Sequence, residues 1–384
     1  MSSVSPNSRK GKKYMEKRVR LGIVATMSLA LVASGMIVVS QASAADVIAT
    51  AKAYVANSLS AKSGFTPPAV GAKAQKKGAT IAFVASDLSN GGITGVLAGV
   101  KEAAKHLGWT IKVYDGQATP SGRTTAMNAA IADKVDALIL GGTDATEQAA
   151  QIVTATAAGI PTFGWHSGPT PGASLGMKTN VTTDPLVVSR TAASYAIAKS
   201  GTKKFGVVIF TDSQYQVAIA KSDAIAAEIK KDKYGTVLEI KDTPISSTSQ
   251  LMPAIISSML QKYGSEFTYF FGINGAYANG AAPALQSAGI SGTGAPYAIA
   301  AGDGDSAELN RIRTSKYQLA TVAEPLYLQA WQLVDAINST FAKKKIAKWV
   351  AAPGLIDKSN VPKGDIFDPA SGYRKVYLKL WGVK

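Results

Sequence analysis

Polar side chains that could meet a small molecule recur in this chain wherever a short apolar run ends. Asp87, Ser89 and Asn90 follow the run from Ile81 to Ala85, Thr143 and Asp144 follow Ala137 to Leu140, and Trp165 and His166 follow Pro161 to Gly164. Later in the chain Asp212 and Tyr215 follow Phe205 to Phe210, Asn274 and Tyr277 follow Tyr269 to Ile273, and Asp303 follows Tyr297 to Ala301. Carboxylates and amides accept or donate hydrogen bonds in pairs, and charged acceptors make the stronger bonds. Such a set suits a ligand carrying many hydroxyl groups. Trp165, Tyr215 and Tyr277 could each add an aromatic face, with packing in a core as the alternative role.

The elements that must position these residues are readable from periodicity. The run from Ile81 to Ala85 is short, apolar throughout and without polar alternation, as expected of a strand buried on both faces. After the polar elbow 86–90, Ile93, Val96, Leu97, Val100, Ala104 and Leu107 fall at helical spacing. The same alternation continues with strands predicted at 110–114, 137–140 and 161–164 and helices at 122–132 and 146–158. A Gly-, Pro- and Ser-rich stretch, 167–174, precedes a helix at 185–199 that Asp184 can cap, with proline in its first turn. The cycle then restarts, with strands at 205–210, 235–240, 269–273, 297–301 and 319–322 and helices at 217–230, 249–263, 278–287, 306–313 and 326–341. The reading is an α/β chain of two doubly wound parallel-sheet lobes. Ligands of open parallel sheets gather outside the carboxyl ends of the strands, so two such lobes make a cleft there.

Several chemistries are excluded or disfavoured. The 384 residues contain no cysteine, which removes disulfides, thiolate metal sites and a cysteine nucleophile. Of the two histidines, His106 lies late in a helix and His166 at a strand end, and no serine and acid are singled out to complete a triad. Asp303-Gly304-Asp305 lacks the further ligands of a calcium loop, and Gly91, Gly92, Gly95 and Gly99 do not form the dinucleotide fingerprint. No cofactor is expected.

The net charge of +16 is concentrated at the start. Residues 1–44 hold seven Lys or Arg against one Glu, leaving 34 basic against 24 acidic residues spread thinly over the rest. The basic residues, the apolar run from Leu21 to Val39 and the small-residue site Ala42-Ser43-Ala44 have the build of a cleavable signal peptide, with a retained anchor as the alternative. A start at Met15 would leave a more ordinary signal. Residues 45–77 are read as a surface-lying or mobile leader, with a short helix at 46–59 and a Pro67-Pro68 stop.

In this order the residues resemble a known family: type I periplasmic sugar-binding proteins of ABC importers, which include ribose- and galactose-binding proteins and are related to the ligand domain of LacI-type repressors. The resemblance covers about residues 78–350. It is carried by the elbow Asp87 to Asn90, by Asp144 after Gly142-Thr143, by Asn274 before Gly275, by Gly302-Asp303-Gly304 and by Glu324 before Pro325. Lys221 stands where the family often has arginine, and Glu324 where it often has Gln or Asn. The resemblance implies ligand contact for these positions and a membrane permease that recognises the closed form.

The expectation is therefore an exported, periplasmic solute-binding component of an ABC importer, monomeric, not an enzyme and without a nucleic-acid partner, taking a sugar or polyol. The expected lobes are 78–183 with 324–352 and 184–323 with 353–384, joined by crossovers near 180–184, 323–325 and 351–354. Alternatives are a non-sugar solute such as an amine, suited by the acidity of Asp87, Asp144, Asp303 and Glu324, and an enzyme acting on a sugar-like substrate. A repressor would need a DNA-binding domain before Gly78, and 45–77 is too short and Pro-interrupted to supply it.

Overall fold

A computed structural model describes residues 44–60, 65–68 and 71–384. The predicted signal segment, Ala44 apart, lies outside the described residues. Residues Ala42–Lys384 form one compact unit. Among the described residues no helix is long and apolar enough to cross a membrane.

The predicted alternation produces two sheets. The first has the order β2-β1-β3-β4-β5, all parallel, from β1 (Thr80–Ala85), β2 (Thr110–Asp115), β3 (Ala137–Gly141), β4 (Thr162–Trp165) and β5 (Asn180–Val181). Ile81, Phe83 and Ala85 of β1 enter one core while Ala82 and Val84 enter the other, which is why the run has no polar position. On one face lie α2 (Gly91–Leu107), α10 (Leu326–Phe341) and α11 (Tyr373–Trp381); on the other lie α3 (Pro120–Ala132) and α4 (Ala149–Ala157).

The second sheet repeats the plan. Its order is β11-β10-β9-β8-β6-β7, from β6 (Phe205–Thr211), β7 (Gly235–Asp242), β8 (Phe267–Gly272), β9 (Tyr297–Ala300), β10 (Gln318–Ala323) and β11 (Gly354–Asp357), with only β11 antiparallel. One face carries α1 (Ala44–Ser60), α5 (Pro185–Ser200) and α6 (Gln216–Ile229); the other carries α7 (Thr248–Tyr263) and α8 (Ala276–Ser287). The helix α9 (Ser306–Thr314) packs beside β10 and β11. In both sheets the strand order reverses next to the first strand, so each lobe presents a switch point: β1/β3 in one and β6/β8 in the other.

Three features depart from the expectations. The segment read as a surface-lying or mobile leader begins with α1, whose Ile48, Ala51 and Val55 recur on one helical face and are buried with Val188, Ala192 and Leu355 of the second lobe. Phe65 then packs on the first lobe, edge-on to Trp349 at 5.3 Å. Residues 353–384, expected together in the second lobe, divide: β11 extends the second sheet, whereas Tyr373, Tyr377 and Trp381 of α11 are buried in the first lobe's core. The chain thus passes between lobes at both termini as well as between β5 and α5, between β10 and α10, and before β11.

Candidate functional site

Both switch points face one cavity of ≈ 60 Å³, lined by residues of both lobes and continuing into an outer groove of ≈ 500 Å³. The first lobe contributes the β1 elbow. Asn90 caps α2, its Oδ1 accepting from the N–H groups of Gly92 and Ile93 at 2.9 and 3.1 Å. Asp87 accepts from Ser89 N–H and Oγ, both at 2.8 Å, which fixes the turn and leaves Ser89 on the outer groove. At the end of β4, His166 adopts a left-handed backbone (φ 51) and its ring stacks on Trp165, 4.1 Å between centroids. That conformation is uncommon outside glycine and turns the imidazole into the cleft.

The second lobe supplies Tyr215, Lys221, Asn274 and Asp303 to the cavity wall. Asn274 starts α8 by accepting from Ala276 N–H at 3.1 Å. Asp303 is buried, held between Gly302 and Gly304, both at positive φ. Burial pushes its carboxyl above the ordinary value, against the opposing pull of Lys221 and His166. Its Oδ2 lies 2.5 Å from where a side chain on Gly92 would start, so that glycine is what lets α2 approach the second lobe.

Glu324 lies one layer below the wall, at the crossover from β10 to α10. Its Oε2 accepts from His166 Nε2 at 2.8 Å, from Gln329 Nε2 at 2.9 Å and from Thr183 Oγ1, while Oε1 faces Lys221 Nζ at 3.4 Å. Burial alone would raise this carboxyl, but His166, Lys221 and the hydrogen bonds outweigh it and hold it well below the usual carboxylate range. One side chain thus joins His166, Thr183 and Gln329 of the first lobe to Lys221 of the second. Gln329 in turn accepts from Trp165 Nε1 at 2.7 Å. His166, Asp303 and Glu324 place ligand atoms within 4.8 Å of one another, but Glu324 is already saturated by donors, which does not suit a metal.

Of the residues singled out from the sequence, Asp87, Asn90, Trp165, His166, Tyr215, Lys221, Asn274 and Asp303 line the inner cavity. The others sit around it in structural positions. Asp144 accepts from Thr146 N–H at 2.8 Å and, across the cleft, from Gln216 N–H at 3.0 Å. Asp212 accepts from Gln214 and Ile245 N–H groups, Thr143 is buried, and Tyr277 stacks on Phe210 in the second lobe's core with its hydroxyl on the Thr243 carbonyl at 2.9 Å. The expected excess of acid at the ligand is reduced accordingly, since Glu324 is matched by Lys221 and His166 and Asp144 by backbone N–H groups.

Sequence reasoning passed over Arg123, Ser86 and Gln329. Arg123 is fully buried, paired with Glu147 through Nη2 at 2.5 Å, and reaches Tyr215 Oη from Nη1 at 3.3 Å; Ser86 Oγ lies 3.0 Å from the same hydroxyl. An arginine in the first turns of the helix after β2, among small residues, was the available signal. These bonds and the Asp144–Gln216 bond clasp the two lobes together.

A family model described as a periplasmic binding protein domain matches residues 81–345. Among solved structures, an ABC transporter solute-binding protein from Agrobacterium vitis bound with alpha-D-tagatopyranose is 20% identical, with TM-score 0.66, covering 76% of this chain and 99% of its own. A glucose-galactose binding protein from Geobacillus stearothermophilus is 18% identical, with TM-score 0.63, covering 75% and 100%. An ABC transporter periplasmic solute-binding protein from Actinobacillus succinogenes with bound D-allose is 18% identical, with TM-score 0.64, covering 74% and 99%. No curated protein matches the sequence. With the family model spanning most of both lobes and the two switch points opening on one cleft, this chain belongs to the periplasmic binding protein family, in its type I fold.

Proposed function

We propose that this protein is the exported solute-binding component of an ABC importer, that it encloses a sugar or polyol between its lobes, and that it presents the closed form to a membrane permease. The observation that carries this reading is the make-up of the cavity wall. Asp87 and Asp303 can accept from hydroxyls, Lys221 can donate, and Asn274 can do both, while Trp165 offers an aromatic edge. The similar proteins with D-allose and tagatopyranose bound support the same ligand class. On this reading the ligand is bound and released unchanged, and the protein acts as a monomer and in the periplasm, after removal of residues 1–44.

A thermal-shift screen against sugars, polyols, amino acids and polyamines tests this. A ligand at 100 times its dissociation constant adds about 2.7 kcal/mol of stability. A shift with a sugar or polyol, recovered chemically intact, is the expected result. A shift confined to amines would overturn the ligand class, and a converted ligand would overturn the binding role.

A further inference from the structure

Away from the cleft, four segments remote in the sequence bring exposed lysines to one end of the first lobe. They are residues 73–77 before β1, the last turns of α2, the stretch 343–348 after α10, and α11 with the C-terminus. Hydrogen bonds tie the first, second and fourth together and reach the last turns of α10, from which 343–348 continues. Gly78 N–H donates to the Gly108 carbonyl at 3.0 Å, and Ala74 N–H to the Trp381 carbonyl at 2.9 Å. Gln75 N–H donates to Asn338 Oδ1 at 2.9 Å, and His106 Nδ1 lies 3.0 Å from the Lys384 carbonyl. The strand β1 enters here at Thr80 and reaches the cleft only after Ala85, so the basic end and the ligand cavity lie at opposite ends of the sheet.

The nearby acids are occupied. Glu102 pairs with Arg374, Asp136 with Lys76, and Asp335 is buried on Trp381 Nε1. Among the described residues, no carboxylate pairs with Lys343, Lys344, Lys345 or Lys348.

We propose that this face seats the protein on an anionic lipid bilayer. Lysines near such a surface each add about a fivefold gain in partitioning, and a cluster at one end makes the effect oriented. The charges are lysines, compact and strongly hydrated, which suit the smeared charge of headgroups better than bidentate phosphate recognition does. Single-stranded nucleic acid would call for stacking aromatics, and the large apolar side chains exposed among the described residues are all aliphatic. One of them, Val350, lies beside Lys348. With no cysteine in the chain, a thiol-linked lipid is not available to hold the protein at a membrane. Seating by this end keeps it near a membrane partner and leaves the cleft open to solution.

The test uses residues 42–384, the compact unit with its own cores. Sedimentation with vesicles of 30% phosphatidylglycerol in phosphatidylcholine is compared with pure phosphatidylcholine, at low and at physiological salt. Two variants are made, one with Lys343, Lys344, Lys345 and Lys348 changed to Gln, the other with the exposed second-lobe residues Lys203, Lys204, Lys230 and Lys233 changed to Gln. The expected result is salt-sensitive binding to the anionic vesicles alone, lowered by roughly 100-fold or more in the first variant and little in the second. Equal loss in both variants, equal binding to both vesicles, or no binding to the anionic vesicles overturns the proposal. So does soluble heparin outcompeting the vesicles for the same lysines. Ligand binding in the cleft enters none of these readouts.

Discussion

Glu324 shows how one side chain links the cavity wall to a crossover between the lobes. A neutral sugar does not need a buried carboxylate, yet this one is bound by groups from both lobes and sits where the chain crosses between them. Glu324→Gln keeps the shape and removes the charge that balances Lys221 and His166. Breaking a buried pair by removing one partner typically costs about 3 kcal/mol or more, so urea denaturation of this variant at pH 7 is expected to show a loss of that order. Because the folded carboxyl titrates below its ordinary value, its contribution is present above the ordinary carboxylate pKa and is lost as pH falls through the depressed one. Unchanged stability would mean that the cluster is not a balanced ion group. The strand-end placement of the cavity residues was legible in the sequence because it follows from where apolar runs stop. Their partnerships were not: Lys221 and His166 lie 103 and 158 positions from Glu324, and no local pattern links them.

Among the elements, α2 and the pair α10 and α11 set the terms. The glycines at 92, 95 and 99, which fail as a nucleotide motif, line one face of α2 and meet Asp303, Leu326 and Ala330. Gly92→Ala is expected to hold the lobes apart and weaken ligand binding about tenfold or more; full affinity would contradict the need for that approach. Strands such as β1 were readable because burial on both faces leaves an unbroken apolar run. The two-residue β5 and four-residue β11 carry too little pattern, and α11 was missed although Tyr373, Tyr377 and Trp381 recur every four residues.

The contact between α10 and α11 carries a pH dependence of its own. Burial raises Asp335 to about 6, the bond from Trp381 Nε1 opposing it. A carboxyl raised on folding costs nothing below its unfolded pKa, and stability falls as pH rises toward the folded value. Asp335→Asn, which can still accept from Trp381, should therefore gain about 1–3 kcal/mol at pH 8 and little at pH 4. A gain that is the same at both pH values would rule out the charge as its source.

For the whole molecule, the two lobes hold each other through Ser86, Arg123 and Tyr215 on one side and Asp144 with Gln216 on the other. Under the proposed function, closure of the lobes would let a ligand that contacts both of them shift the population toward the closed form. Small-angle scattering should show a smaller radius of gyration with ligand than without, and less compaction in Gly92→Ala. No change on saturation would remove closure from the account.

The most direct test is titration calorimetry of the wild type and of Asp303→Asn with the sugar or polyol that gives the largest thermal shift. The account requires one ligand per chain and binding weakened by about 1–3 kcal/mol in the variant, because a hydroxyl loses its charged acceptor. Equal affinity in the two proteins, with the ligand bound elsewhere, would contradict it.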